Sequence, residues 1–225
     1  MIAAVRALVA KDLALERRVP QQLGAMALFS LTTFVVFHFA LQENRVDGAL
    51  AAGILVTTIV FATMLGIGRL FVSEQEDGGF DGFLLAPVDR TSLLVAKALV
   101  LLLFLVLVQL FALPAFAVLL LDPALSAGRI ASATAVLLLA DAGLAVIGTL
   151  VAALAIQTRA RDLLVPLIAL PLLLPVVIGA AEALAPVFAA GAAEPLPGRW
   201  LLTIGLYDAV FALLAFALFD YLVED

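Results

Sequence analysis

The sequence predicts an all-α polytopic membrane protein with six transmembrane helices and an N-terminal amphipathic helix. Three observations lead there. Of its 225 residues, 65% are hydrophobic and 13% charged, with a mean hydropathy of +1.23, whereas soluble domains run near half apolar and a quarter charged. The apolar residues gather in runs of about 20, enough for a helix to cross the hydrocarbon of a bilayer. No segment of about 10 residues alternates in the manner of a membrane barrel strand. Without water to satisfy the backbone, a spanning segment that is not a barrel strand must be a helix.

The elements follow in order. Residues 1–19 read as an interfacial helix: Ile2, Val5, Leu8, Val9, Leu13 and Leu15 recur at helical spacing among Arg6, Lys11, Asp12, Glu16, Arg17 and Arg18, the pattern of a helix lying on a membrane surface. Pro20 ends it. No signal peptide is expected, because this charged segment precedes the first apolar run without a clear cleavage site. Residues 20–225 then form a six-span domain, with spans at roughly 21–41, 49–72, 92–121, 130–157, 163–185 and 200–222. Short connections at 42–48, 122–129 and 158–162, and a Gly/Pro/Ala-rich one at 186–199, leave no room for a separate domain.

Lys and Arg set the orientation. A cytoplasmic N-terminus puts Arg6, Lys11, Arg17, Arg18, Arg69, Arg90, Lys97, Arg159 and Arg161 inside and only Arg45, Arg129 and Arg199 outside, so both termini are expected in the cytoplasm. The net charge of −6 without a basic run excludes strong nucleic-acid binding. The absence of cysteine excludes disulfides and thiolate chemistry.

Two features of the spans bear on motion and packing. Pro166, Pro171 and Pro175 in the fifth span each remove a helix hydrogen bond, so a kinked or broken helix, and a hinge, are expected there. Gly143, Gly148 and Ala152 in the fourth span are small enough for neighbouring helices to come close.

The most elaborate polar sequence is the cytoplasmic segment 74–90. Glu74, Glu76, Asp77, Asp81 and Asp89 supply five of the chain's 18 acidic residues. Gly78, Gly79 and Gly82 disfavour continuing the second span as a helix. Phe80, Phe83 and Leu84 fall at i, i+3, i+4, so a short helix would present them together. Pro87 stops that helix, and Asp89 or Thr91 can cap the next. The result is an aromatic face ringed by carboxylates. Such a face suits docking to a cytosolic partner, and the plainer reading is a solvated loop whose aromatics dip into the interface.

Within the spans, Asp141 stands about midway along the fourth, Asp208 about a third into the sixth and Glu182 near the outer end of the fifth. A charge at the bilayer centre costs several kcal/mol, so Asp141 should face the bundle, with Gln109 of the third span as a hydrogen-bond partner. A proton relay or transport path competes with a single interhelical hydrogen bond as the reason for these residues. His38, the sole histidine, is either an interfacial residue or a metal or haem ligand, and nothing near it in sequence completes a site.

Absences narrow the class. No GxxxxGK[ST] loop is present, and neither Lys11 nor Lys97 follows a glycine-rich turn, so the chain is no ATPase by that route. HExxH and GxSxG are also missing. No enzyme activity, and no directly bound cofactor or metal, is expected.

Gly68-Arg69-Leu70-Phe71, then Glu76-Asp77-Gly78-Gly79-Phe80, Leu84-Leu85-Ala86-Pro87 and the continuation from Val88 to Lys97 resemble the CcmB family, the permease subunit of a bacterial haem exporter in c-type cytochrome maturation. The likeness extends over nearly the whole chain. It implies an ABC exporter permease-like fold in the bacterial inner membrane and a cytoplasmic ABC ATPase subunit that binds ATP. It also implies a second permease copy, a haem-handling membrane protein, a small single-span protein, and haem as candidate substrate. Residues 74–90 then become the coupling segment. Two other readings stand beside it: a self-sufficient proton-coupled carrier using Asp141 and Asp208, and a passive membrane scaffold.

Overall fold

The computed structural model describes residues 1–42, 45–71, 90–122, 125–155, 158, 160–191 and 195–222. Helices account for nearly all of them: α1 (Ile2–Arg18), α2 (Gln22–Ala40), α3 (Gly48–Arg69), α4 (Arg90–Leu119), α5 (Ala127–Ala155), α6 (Arg161–Phe188) and α7 (Gly198–Leu222). The last six are long and apolar enough to cross a membrane. They match the expected spans to within a few residues at each end, the margin at which helices fray. An even number of crossings returns the chain to its starting side. One end of the bundle therefore gathers α1, the start of α2, the end of α3 and the start of α4.

α5 is the hub. It packs against α3, α4, α6 and α7, while α3 packs against α2 and α6. Small residues make this possible. A side chain at Gly148 would collide with Ile67 of α3, whose Cδ1 lies 2.7 Å from where a Cβ would stand. One at Gly143 would overlap the carboxylate of Asp208 on α7. Ala152 is buried as well. Helices without a hydrophobic drive to associate in lipid rely on this close van der Waals fit.

Four buried hydroxyls are satisfied inside their own helices. Ser30, Thr58, Thr63 and Thr149 donate to the carbonyls of Met26, Ile54, Ile59 and Ala145, at 2.7–2.9 Å, so they cost little in an apolar surround. α6 runs uninterrupted from Arg161 to Phe188 through Pro166, Pro171, Pro175 and Pro186. Of the kinked or broken helix expected in this span, the break is not seen: packing against α3, α5 and α7 holds the helix together where local bonding is lost. Tyr207 of α7 donates to the Leu172 carbonyl at 2.7 Å, one residue past the Pro171 carbonyl whose helical donor Pro175 lacks.

α1 packs on α4, fastened by an ion pair at 2.8 Å between Asp12 and Lys97, whose side chains are only 10% and 3% exposed. The same ammonium lies 5.5 Å from the ring centroid of Phe71, just past α3. Breaking a buried pair by removing one partner costs about 3–5 kcal/mol, whereas replacing both by apolar groups is often neutral. Lys97→Met should lower unfolding stability in mixed micelles by about 3 kcal/mol, and adding Asp12→Leu should recover most of the loss.

Candidate functional site

Of the expected coupling residues, Glu74, Glu76, Asp77, Gly78, Phe80, Asp81, Phe83, Leu84 and Pro87 lie outside the described residues, and Arg90 opens α4. What the structure places are the two helices that flank the segment and the contacts that hold their ends. Lys97, seven residues into α4, reaches both Asp12 of α1 and the ring of Phe71. Gln22 at the start of α2 donates to the Gly66 carbonyl at 2.8 Å. Arg69 donates to the Gln21 side chain at 3.0 Å. Glu16 accepts from the backbone N–H of Leu23 at 2.7 Å, taking up a donor that the first turn of α2 leaves free. Both sides of the segment are thus tied to α1 and to the start of α2.

Sequence reasoning read Lys97 as a mark of topology and missed this clamp. A signal was present on α1. Val5, Asp12 and Glu16 are seven and eleven residues apart from the first, close to whole numbers of helical turns, so two carboxylates share the face that buries Val5. Acids on an apolar face require buried partners, and the structure supplies them.

Midway along the bundle, Asp141 is fully buried, and its Oδ1 accepts from Gln109 Nε2 at 2.7 Å. The expected pair is present. Asp141 Oδ2 and both carboxylate oxygens of Asp208 have no partner among the described residues. The two acids do not work as neighbours. Asp141 points toward α3, α4 and α6, while Asp208 abuts Gly143, two residues or about 200° further round α5. A direct proton step between them has no path past that helix. Glu182 is exposed on α6.

The void beside Asp141, lined by Val56, Ile59, Val60, Leu144 and Val176, measures about 10 Å³, room for about one water and far below the roughly 300 Å³ of a small-molecule site. Larger hollows lie on the outside of the bundle: about 250 Å³ between α2 and α4 and about 590 Å³ beside α1. Pro166, Pro171 and Pro175 line neither of the outer hollows.

At the opposite end, the connections are knitted to one another. Phe116 stacks at 5.5 Å between Phe34 and Phe188, joining α2, α4 and α6. Val46 bridges to the chain after α4, donating to Leu120 and accepting from Asp122. Arg45 donates to the Leu121 carbonyl at 2.9 Å, and His38 Nδ1 donates to the Leu119 carbonyl at 2.7 Å. Buried Arg129 donates to the carbonyls of Ala189 and Gly191 at 3.0 and 2.6 Å, where the end of α6 presents partial negative charge. No group of three or more His, Asp or Glu side chains suited to a metal ion occurs among the described residues.

Six apolar helices, five of them packed around or against the hub α5, define the class: a multi-pass α-helical membrane protein. Comparison with known proteins supplies the family. The sequence model of the CcmB protein family matches residues 3–222, and the chain belongs to that family. It is 34% identical to heme exporter protein B of Rhodobacter capsulatus over 95% of each chain. It is 31% identical to heme exporter protein B of Pseudomonas aeruginosa over 76% of each. The protein of the same name from Paracoccus denitrificans is 30% identical over 80% of this chain and 81% of its own. The relatives are bacterial, and the chain is a transporter-family subunit rather than an enzyme.

Leaving a buried acceptor without its donor costs about 1–3 kcal/mol, and replacing both partners by apolar groups can be nearly neutral. Gln109→Leu should therefore destabilise the bundle by about 2 kcal/mol. Gln109→Leu/Asp141→Leu should return close to the parent, and Asp141→Asn, which keeps an acceptor for Gln109, should change stability least. Thermal unfolding of the four proteins in one detergent checks the order.

Proposed function

We propose that this chain is the permease subunit of a haem-exporter-type ABC complex serving c-type cytochrome maturation. The observation that carries the reading is the match to heme exporter protein B of Rhodobacter capsulatus across 95% of both chains. ATP hydrolysis belongs to a separate cytoplasmic ATPase subunit, a reading supported by the lack of a phosphate loop in this sequence. Residues 74–90 are the segment that meets it, with Phe80, Phe83 and Leu84 as the apolar face and Glu74, Glu76, Asp77 and Asp81 as its charged rim. Both termini face the cytoplasm, as the distribution of Lys and Arg favours, and α1 (within residues 1–19) rests against the six-span domain on that side.

The geometry favours a subunit that works within an assembly. The void of about 10 Å³ beside Asp141 is too small for a macrocycle, which supports a path for haem, as cargo, along an outer face or between subunits. A second permease copy, a haem-handling membrane protein and a small single-span protein complete the assembly. A closing movement of the ATPase pushes on the segment between α3 and α4. The push then reaches α1 through Lys97, because the ammonium that pairs with Asp12 sits at the start of the helix being pushed.

The proton-coupled carrier is the weaker reading, since Asp141 and Asp208 occupy opposite sides of α5. It requires Asp141→Asn to abolish transport, whereas the permease reading leaves that variant active. Replacing Phe80, Phe83 and Leu84 together with Ala should abolish assembly of holo-cytochromes c while leaving the chain in the membrane, measured by haem staining beside an immunoblot of membranes. Normal cytochrome levels in that triple variant would contradict the docking role and favour a passive scaffold.

A further inference from the structure

We propose that the hollow between α1 and the start of α4 holds an anionic phospholipid. Arg6 meets the headgroup phosphate, and an acyl chain follows α4 from there into the bilayer. This site is independent of the haem-exporter reading and adds a ligand drawn from the membrane itself.

The fold sorts the charges of α1. In the sequence Arg6, Lys11, Arg17 and Arg18 are interspersed with Asp12 and Glu16, so the segment reads as mixed in sign. In the structure both acids turn inward. Asp12 pairs with buried Lys97, with Lys11 at 3.5 Å from its other oxygen, and Glu16 accepts from the backbone N–H of Leu23. Arg6, Arg17 and Arg18 stay exposed, and none of the three has a carboxylate partner among the described residues. The outward surface of α1 is therefore cationic, although the whole chain carries a net charge of −6. Such a surface attracts anionic headgroups.

Depth comes next. Residues 98–119 of α4 carry no charge and alone span about 33 Å, enough for the roughly 30 Å of hydrocarbon. The turns before them, with Arg90 and Lys97, therefore stand at headgroup level. Lys97 fastens α1 at that level.

The hollow measures about 590 Å³ and is lined by Val5, Arg6, Val9, Ala10 and Leu13 of α1 and by Leu99 of α4. Arg6 is the one charged residue in that lining among the described residues. Beyond Leu99, the side chains of Leu103, Val106 and Leu110 continue as an exposed ridge along α4, spaced by three or four residues as one helix face requires. A cation at headgroup depth, with an apolar track leading from it into the hydrocarbon, matches the two ends of a phospholipid. A zwitterionic lipid would fill the track and leave Arg6 without a net counter-charge, so the anionic lipid is the one selected.

The test places a reporter on the ridge of the full chain. Trp200→Phe removes the sole tryptophan, and Leu103→Trp puts another one turn beyond Leu99. Its fluorescence is followed in vesicles where brominated phosphatidylglycerol or brominated phosphatidylcholine replaces the unbrominated lipid in graded amounts. The anionic lipid is expected to bind beside the reporter at least about fivefold more tightly than the zwitterionic one. Arg6→Gln should bring that ratio close to one, whereas Arg199→Gln, at the opposite end of the bundle, should leave it unchanged. Inorganic phosphate at constant ionic strength should leave it unchanged too, because the acyl chain holds the headgroup in place. Equal quenching by the two lipids would overturn the proposal, as would a ratio that survives Arg6→Gln. A ratio abolished by inorganic phosphate would assign Arg6 to a free anion and overturn the lipid. Absence of quenching by either lipid would mean that another protein chain covers this face, with the same consequence. Should Arg6→Gln fail to fold, raising the salt concentration on the reporter chain decides: the ratio should fall, and a salt-independent ratio would contradict the role of Arg6.

Discussion

The constraint on which the rest of this structure depends is the absence of water in the hydrocarbon, which makes every polar atom of the spans costly unless it finds a partner within the protein. Four buried hydroxyls turn back on their own helices, and Gln109 reaches 32 residues along the chain to Asp141. The remaining surface of the central helices is left free for packing, and small residues on α5 use it fully. Gly148 and Gly143 admit Ile67 and Asp208 to within contact of the α5 backbone. The void that remains beside Asp141 on this hub is only about 10 Å³, and close-packed helices of this kind move by shifting as whole units.

The two ends of the bundle are built differently. The end bearing α1 is held by side chains that pair with side chains or helix ends: Asp12 with Lys97, Arg69 with Gln21, Glu16 with the first turn of α2. The far end is held largely by side chains that bond to backbone carbonyls, as His38, Arg45 and Arg129 do. In the permease reading, the first arrangement gathers the flanks of the coupling segment into one unit with α1. The second fixes the connections against each other while leaving an imidazole and a guanidinium at the surface.

The spans were legible in the sequence because the burial of about 20 apolar residues is a local property of each run. Asp141 and Gln109 could be paired because depth in the membrane follows from counting residues along two helices. The fastening of α1 was not legible in the same way. Asp12 and Lys97 are 85 positions apart, and only the tertiary packing of α1 on α4 brings them together, although the acids on the Val5 face signalled that a partner was needed. His38 is 81 positions from Leu119, so its tautomer had no signature in the sequence. Pro166, Pro171 and Pro175 suggested a kinked or broken helix because proline rules describe an isolated helix, and of the two it is the break that the packed helix does not show. Residues 74–89, the part of the expected site richest in sequence signal, lie outside the described residues, and their role rests on composition and family.

The central claim is that this chain is driven by a separate ATPase. It is tested most directly by purifying the tagged chain from its native membrane in mild detergent and identifying what accompanies it by mass spectrometry. The account predicts a cytosolic phosphate-loop ATPase in the complex, together with a second copy of this chain. Recovery of the chain alone, under conditions that keep other membrane complexes of the same cells intact, would contradict it.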